Sequence, residues 1–241
     1  MQRYFAIQKK ENKFILDEKD IHHILNVMRM KNNEHIEVVY ENTLYECYIN
    51  ITEKTEIILD KIIKQETTNQ PEIIIIIPVL KEQKMDIILQ KSTELGVNKI
   101  IPITTERSIV KTEGKEKNKI DRWKRIVKEA SEQSKRISVP IIENITKIDK
   151  LNFTDGVKLV CSTRENIKNI KNVMQIHKNC DKIYIVAGPE GGLSIKEEKK
   201  LNELGFVSIS LGKRILRIET VPLFVLSCIN YELLEWYYEF I

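Results

Sequence analysis

Hydrophobic positions change their period along the chain. From Tyr4 to Ile63 they fall in short alternating runs, His35–Tyr40, Leu44–Ile51 and Glu56–Ile62, parted by polar turns such as Lys31-Asn32-Asn33 and Tyr40-Glu41-Asn42. A period of two marks half-buried strands, so a small β-rich domain is predicted here. One helical stretch interrupts it, Asp20–Met30, with Ile24, Leu25 and Met28 on one face. The polar run Gln65–Pro71 ends in proline and suits a linker, which divides the chain into residues 1–70 and 71–241.

Beyond the linker, strand and helix patterns alternate. Ile73–Leu80 is apolar throughout, as a strand covered on both faces would be. Glu82–Leu95 carries Met85, Ile88, Leu89 and Leu95 at helical spacing and stops at Gly96. Lys99–Ile103 reads as the next strand. Ile120, Trp123, Ile126, Val127 and Ala130 then form the apolar stripe of a helix whose other face holds Arg122, Lys124, Arg125 and Lys128. Val157–Cys161, Lys182–Ala187 and Val207–Ser210 read as strands. Between them lie an Ile167, Ile170, Met174 helix and one starting at Ser194, where Ser194 and Glu197 have capping-box spacing. The last helix, Val221–Tyr238, is apolar nearly all round, which implies burial within the protein or against another subunit. Repeated β-α units imply a largely parallel sheet with helices on both faces.

Two glycine-bearing loops follow strands in this region. Gly188-Pro189-Glu190-Gly191-Gly192 joins Ile183–Ala187 to the Ser194 helix start, and Leu211–Thr220 joins Val207–Ser210 to the last helix. In open α/β sheets, ligands bind beyond the carboxyl ends of strands, and glycine there lets main chain approach closely. A pair of such loops points to a pocket; tight turns and caps are the alternative use of the same glycines.

Composition narrows the class. Hydrophobic residues make up 42% and charged residues 31%, ordinary for a soluble globular protein. The N-terminus lacks the apolar core of a signal peptide and Ile73–Leu80 is too short to span a bilayer, so a cytoplasmic protein without a membrane partner is expected. Cys47, Cys161, Cys180 and Cys228 form no C-x-x-C pair, and the adjacent His22 and His23 point to different helix faces, so no metal site is expected. Residues 1–70 carry 10 Lys and Arg against 12 Asp and Glu, whereas Arg107–Arg136 alone holds 11 basic against 5 acidic residues. A local excess of that kind suits either a polyanion-binding surface or a solvated helix face. No P-loop, dinucleotide fingerprint or Ser/His/Asp set is present.

Taken in order, GPEGG, LGKRILRIET, KEQKMDIILQKSTELGVNKIIPITTERSIVK (Lys81–Lys111) and RWKRIVKEASEQSKRISVP (Arg122–Pro140) resemble the RsmE family of bacterial ribosomal RNA methyltransferases, in the SPOUT superfamily. The resemblance covers nearly the whole chain. It implies an α/β fold: a C-terminal SPOUT-type parallel sheet with a deep trefoil knot over residues 71–241, and a small N-terminal PUA-like β-barrel over residues 1–70 that helps hold RNA. It further implies a homodimer that binds S-adenosylmethionine and methylates N3 of a uridine in 16S ribosomal RNA of the small subunit. The other readings kept open are a related enzyme acting at another RNA position and a non-catalytic RNA-binding protein.

Carried over by position, the resemblance assigns cofactor binding to Gly188, Pro189, Glu190, Gly191 and Gly192, to Leu211, Gly212, Ile215, Leu216 and Thr220, and to Cys161 and Ser162 in a third loop. Glu190 either meets the cofactor or caps its own turn. Uridine N3 is a poor nucleophile until its proton leaves, and losing it puts charge on O2 and O4. Arg217 is the candidate for stabilising that charge, against an ion pair with Glu219 or a phosphate contact. Glu219 either accepts the proton or orients Arg217. Candidate RNA contacts are Arg3, Arg29, Arg107, Lys119, Arg122, Lys128, Gln133 and Arg136, with a surface-charge alternative for Arg107 and Arg136. Three positions depart from the family pattern: Lys213 stands where proline is usual, Ile218 where threonine is, and Lys135 where glycine is.

Overall fold

The computed structural model describes residues 1–65, 70–108, 114, 116–177 and 180–237. They divide into two compact units, Met1–Thr68 with Ser131–Val139, and Asn69–Ala130 with Pro140–Ile241. Most of the expected linker, residues 66–69, lies outside the described residues.

In the first unit, β1 (Arg3–Phe5), β2 (Gln8–Lys10), β3 (Lys13–Ile15), β4 (His35–Tyr40), β5 (Thr43–Ile51) and β6 (Thr55–Gln65) form one sheet in the order β1-β4-β5-β6-β3-β2. β1 runs parallel to β4 and the other pairs are antiparallel. The alternation seen in the sequence turns Ile36, Val38, Cys47, Ile49 and Ile57 inward, where they pack with Tyr4, Phe14 and Ile24. The helix expected over Asp20–Met30 takes a different form. α1 (Glu18–His22), capped by the Asp17 carboxylate, runs into a π-helical stretch at His23–Val27, and Arg29 leaves it at φ +54. That wider turn buries Ile24 but leaves Met28 40% exposed, so Met28 does not share the buried face. On the exposed side, His35, Glu46 and Asp60 place ligand-type atoms within 4.8 Å of one another. Glu46 is already paired there with Lys61 Nζ at 3.0 Å.

Residues 131–139 belong to this unit because apolar and charged groups hold them there. Ile137 is buried with Val39 and Leu44. Arg3, 7% exposed, pairs with Glu37 at 2.9 Å and donates to the main-chain carbonyls of Lys135 and Arg136. A guanidinium buried to this degree needs donors answered inside the protein, and three oxygens take up Nε and Nη1 of Arg3, one of the expected RNA contacts. Lys135 adopts φ +59. Its ammonium lies 3.0 Å from Glu37. Burial alone would raise the Glu37 carboxyl, but hydrogen bonds and charge from Arg3 and Lys135 outweigh it and hold the group below the usual range.

In the second unit, β7 (Glu72–Pro78), β8 (Lys99–Thr104), β9 (Ile141–Ile142), β10 (Thr146–Lys147), β11 (Val157–Cys161), β12 (Lys182–Ala187) and β13 (Val207–Ile209) make a parallel sheet. Its order is β10-β8-β7-β12-β11-β13, with β9 also on β8. The helices are α2 (Glu82–Glu94), α3 (Glu116–Gln133), α4 (Ile170–Ile176), α5 (Ile195–Glu203) and α6 (Thr220–Tyr237). The apolar run in β7 is explained by coverage of both faces: Ile74 and Ile76 join Leu201 of α5 in one cluster, and alternation sends Ile73, Ile75 and Ile77 to the opposite face. α2 buries Met85, Ile88 and Leu89 and packs on α6. Ile167 is not part of the α4 stripe. It precedes the helix, which starts after the Asn169 cap, and is 84% exposed. Among the described residues no helix is long and apolar enough to cross a membrane.

Candidate functional site

Three adjacent strands end at one level. Cys161 of β11 is the register partner of Ala187 in β12 on one side and of Ile209 in β13 on the other. The loops that follow, residues 162–169, 188–194 and 210–219, therefore leave the carboxyl edge of the sheet side by side. Parallel pairing alone brings together three segments that are far apart in the chain.

The loops after β11 and β13 enclose a cavity of about 120 Å³ lined by Cys161, Ser162, Leu211, Gly212, Ile215 and Leu216, together with Glu165 and Val221. These are the residues expected to bind cofactor in the second and third loops; Thr220 does not line the cavity and begins α6 instead. Gly212 sits at φ +105, a conformation that a Cβ would strain. Burial pushes the Cys161 thiol up to about 12, so it stays neutral and serves as an apolar wall. The Glu165 carboxylate accepts from the main-chain N–H groups of Asn166, Ile167 and Lys168 at 2.9, 2.7 and 3.1 Å. Those bonds, first that of Ile167, hold its carboxyl below the usual range and give the loop a fixed shape.

The GPEGG loop lies next door and does not line this cavity. Gly192 takes φ +68 and donates to the Pro189 carbonyl at 2.7 Å. At Gly188 a Cβ would stand 2.9 Å from the Leu193 nitrogen, so only glycine fits. Glu190 neither caps its own turn nor faces the cavity: it bonds the ammonium of Lys84, from the first turn of α2. The same ammonium is 3.6 Å from Glu219 Oε2, in the loop before α6. That oxygen is buried and, among the described residues, has no hydrogen-bond partner. Glu219 thus faces Lys84, and the Arg217–Glu219 ion pair considered from the sequence is not formed. Arg217 is exposed. The hydrogen bond and charge of Lys84 hold the Glu190 carboxyl low, and the pairing with Glu190 raises Lys84.

Two neighbouring acids at the start of α5 position the surrounding loops. Glu197 completes the capping box with Ser194 and also accepts from the Glu106 N–H at 2.8 Å. Its loop-mate Arg107 donates to the Gly191 carbonyl at 2.5 Å. Glu198 accepts from Ser162 Oγ at 3.0 Å and pairs with Arg164 at 2.7 Å. The capping spacing signalled the helix start; nothing in it signalled this second use, and nothing in the sequence singled out Lys84.

The expected RNA contacts are scattered. Arg29, Gln133 and Arg136 fall with Arg3 in the first unit, and Arg107, Lys119, Arg122 and Lys128 in the second. Arg122 is held by Asp86 of α2, with Nη1 2.7 Å from Oδ1. Arg136 donates to the Ser138 carbonyl at 3.2 Å.

Comparison with known proteins gives these features a context. Residues 67–230 match the model of an RNA methyltransferase domain, and residues 16–62 that of an RNA methyltransferase PUA domain. The chain is 34% identical to the ribosomal RNA small subunit methyltransferase E of Bacillus subtilis, covering 96% of this chain and 97% of that one. It is 35% identical to the protein of the same name from Mesomycoplasma hyopneumoniae, covering 95% and 100%. The Neisseria gonorrhoeae ribosomal RNA small subunit methyltransferase E, solved bound to S-adenosyl methionine, superposes with a TM-score of 0.84 at 30% identity, covering 96% and 97%. With a matching domain model and full-length relatives above 30% identity, the chain belongs to the ribosomal RNA small subunit methyltransferase E family of RNA methyltransferases.

Proposed function

We propose that this protein is an S-adenosylmethionine-dependent methyltransferase acting on N3 of a uridine in 16S ribosomal RNA of the small subunit. The observation that supports it most is the row of three loops at the carboxyl ends of β12, β11 and β13, which carry the family's motifs. The residues suit the cofactor: Leu211, Ile215, Leu216 and Val221 offer apolar walls, Gly212 opens the main chain, and Glu219 presents a buried oxygen with no hydrogen-bond partner among the described residues. Gly188 to Gly192 and Thr220 would complete the binding surface. When bound, S-adenosylmethionine supplies a methyl group on a positively charged sulfur.

The chain's own groups then do the rest. Glu219 takes the proton from uridine N3, and Arg217 faces the charge that develops on O2 and O4. Holding the base against the loops removes the need for a chance encounter. Arg29, Arg107, Lys119, Lys128, Gln133 and Arg136 supply the RNA contacts, and Arg122 adds charge while paired with Asp86. We further propose the arrangement implied by the family: a knotted SPOUT domain over residues 71–241, a PUA-like barrel over residues 1–70, a cytoplasmic location, and a homodimer. The apolar groove where Phe224 and Tyr231 of α6 meet Ile170 and Met174 supports the dimer. A monomeric mass in sedimentation at micromolar concentration would rule it out.

The decisive experiment offers purified protein and labelled cofactor to small subunits from cells lacking the enzyme, then maps the product. Label at uridine N3 in 16S RNA is expected. Label at another position would assign the protein to a different RNA target, and saturable RNA binding without cofactor binding would make it a non-catalytic binder.

A further inference from the structure

One cation stands between the two loops expected to hold cofactor. Lys84 Nζ bonds the Glu190 carboxylate and lies 3.6 Å from Glu219 Oε2. The two acids differ in their surroundings, since the Glu190 side chain is 55% exposed and that of Glu219 only 20%. Water can satisfy Glu190 as readily as the lysine can. Among the described residues the buried Glu219 oxygen has no hydrogen-bond partner, so the nearby ammonium is its compensating group. The other charged groups around this point are Arg217 on Glu219's own loop and Lys81 at the start of α2, both acting on Glu190.

We infer that Lys84 is a positioning residue for Glu219, shared with Glu190, which holds the Glu219 carboxylate in place to accept the proton from the RNA base. The inference rests on the proposed methyl transfer. In this arrangement Lys84 acts through Glu219. Glu190 is its competitor, so each acid controls how much of the cation the other receives.

The test compares full-length wild type, Lys84→Met, Lys84→Arg and Glu190→Gln. Methyl transfer to unmodified small subunits is followed at saturating substrates, and cofactor affinity is measured by titration calorimetry. In Lys84→Met the Glu219 carboxylate loses its neighbouring cation, so kcat should fall roughly tenfold while cofactor affinity stays unchanged. Lys84→Arg should restore most of the rate. Glu190→Gln, which frees the cation for Glu219, should raise kcat. A kcat unchanged in Lys84→Met overturns the inference, as does a loss accounted for wholly by weaker cofactor binding or a Lys84→Arg loss as large as that of Lys84→Met. An inactive wild type would overturn the proposed function itself, and this inference with it.

Discussion

A guanidinium with 7% exposure must be matched by protein oxygens, and at Arg3 one carboxylate and two carbonyls do so. Replacing Glu37 by Gln removes the charged partner and should destabilise the fold by about 2 kcal/mol, read from denaturant midpoints. The sign of the pH effect follows from the lowered Glu37 carboxyl. Its contribution is complete above the ordinary unfolded carboxylate value and is lost as pH falls through the lower folded one. Wild type should therefore lose more stability than Glu37→Gln between neutral pH and the acid range; equal losses would refute the assignment. At Gly188 the limit is steric. A Cβ 2.9 Å from the Leu193 nitrogen forces the backbone apart, so Gly188→Ala should weaken cofactor binding at least tenfold by calorimetry, whereas alanine at open Gly114 should not.

At the scale of elements, the first turn of α5 does two jobs. Ser194 and Glu197 cap it, while Glu197 and Glu198 hold the loops after β8 and β11. Glu198→Ala frees Ser162 and Arg164 together. The expected outcome is a small stability change, about 1 kcal/mol, with a several-fold loss of cofactor affinity, because the 162–169 loop forms one wall of the cavity. Unchanged affinity would show that this loop keeps its shape unaided. On α3, Lys119→Gln should lower the slope of RNA affinity against salt by about one while leaving cofactor affinity alone. Arg122→Gln should lower stability as well, since Asp86 loses its bidentate partner.

For the whole molecule, the division into units does not follow a single cut in the chain. Residues 131–139 belong with the N-terminal sheet, where Ile137 covers Val39 and Leu44 and two carbonyls meet Arg3. A fragment ending at residue 70 lacks those groups. It should melt several degrees below the same sheet in the full chain, as followed by hydrogen exchange at β4 and β5.

The parallel-sheet elements and the glycine loops were readable along the chain because periodicity, caps and left-handed turns are local properties: Ile73–Ile77 needs no partner to read as a doubly covered strand, nor Gly212 to mark a bend. The use of Arg3, Lys84, Glu197 and Glu198 depended on packing. A charged side chain on a strand or helix reads the same whether it meets water, RNA or a carbonyl, and here the partners lie from 34 to more than 130 residues away. Strand register, which no local pattern encodes, set Cys161, Ala187 and Ile209 in one row and so decided which loops share a cavity and which carboxylates share a lysine.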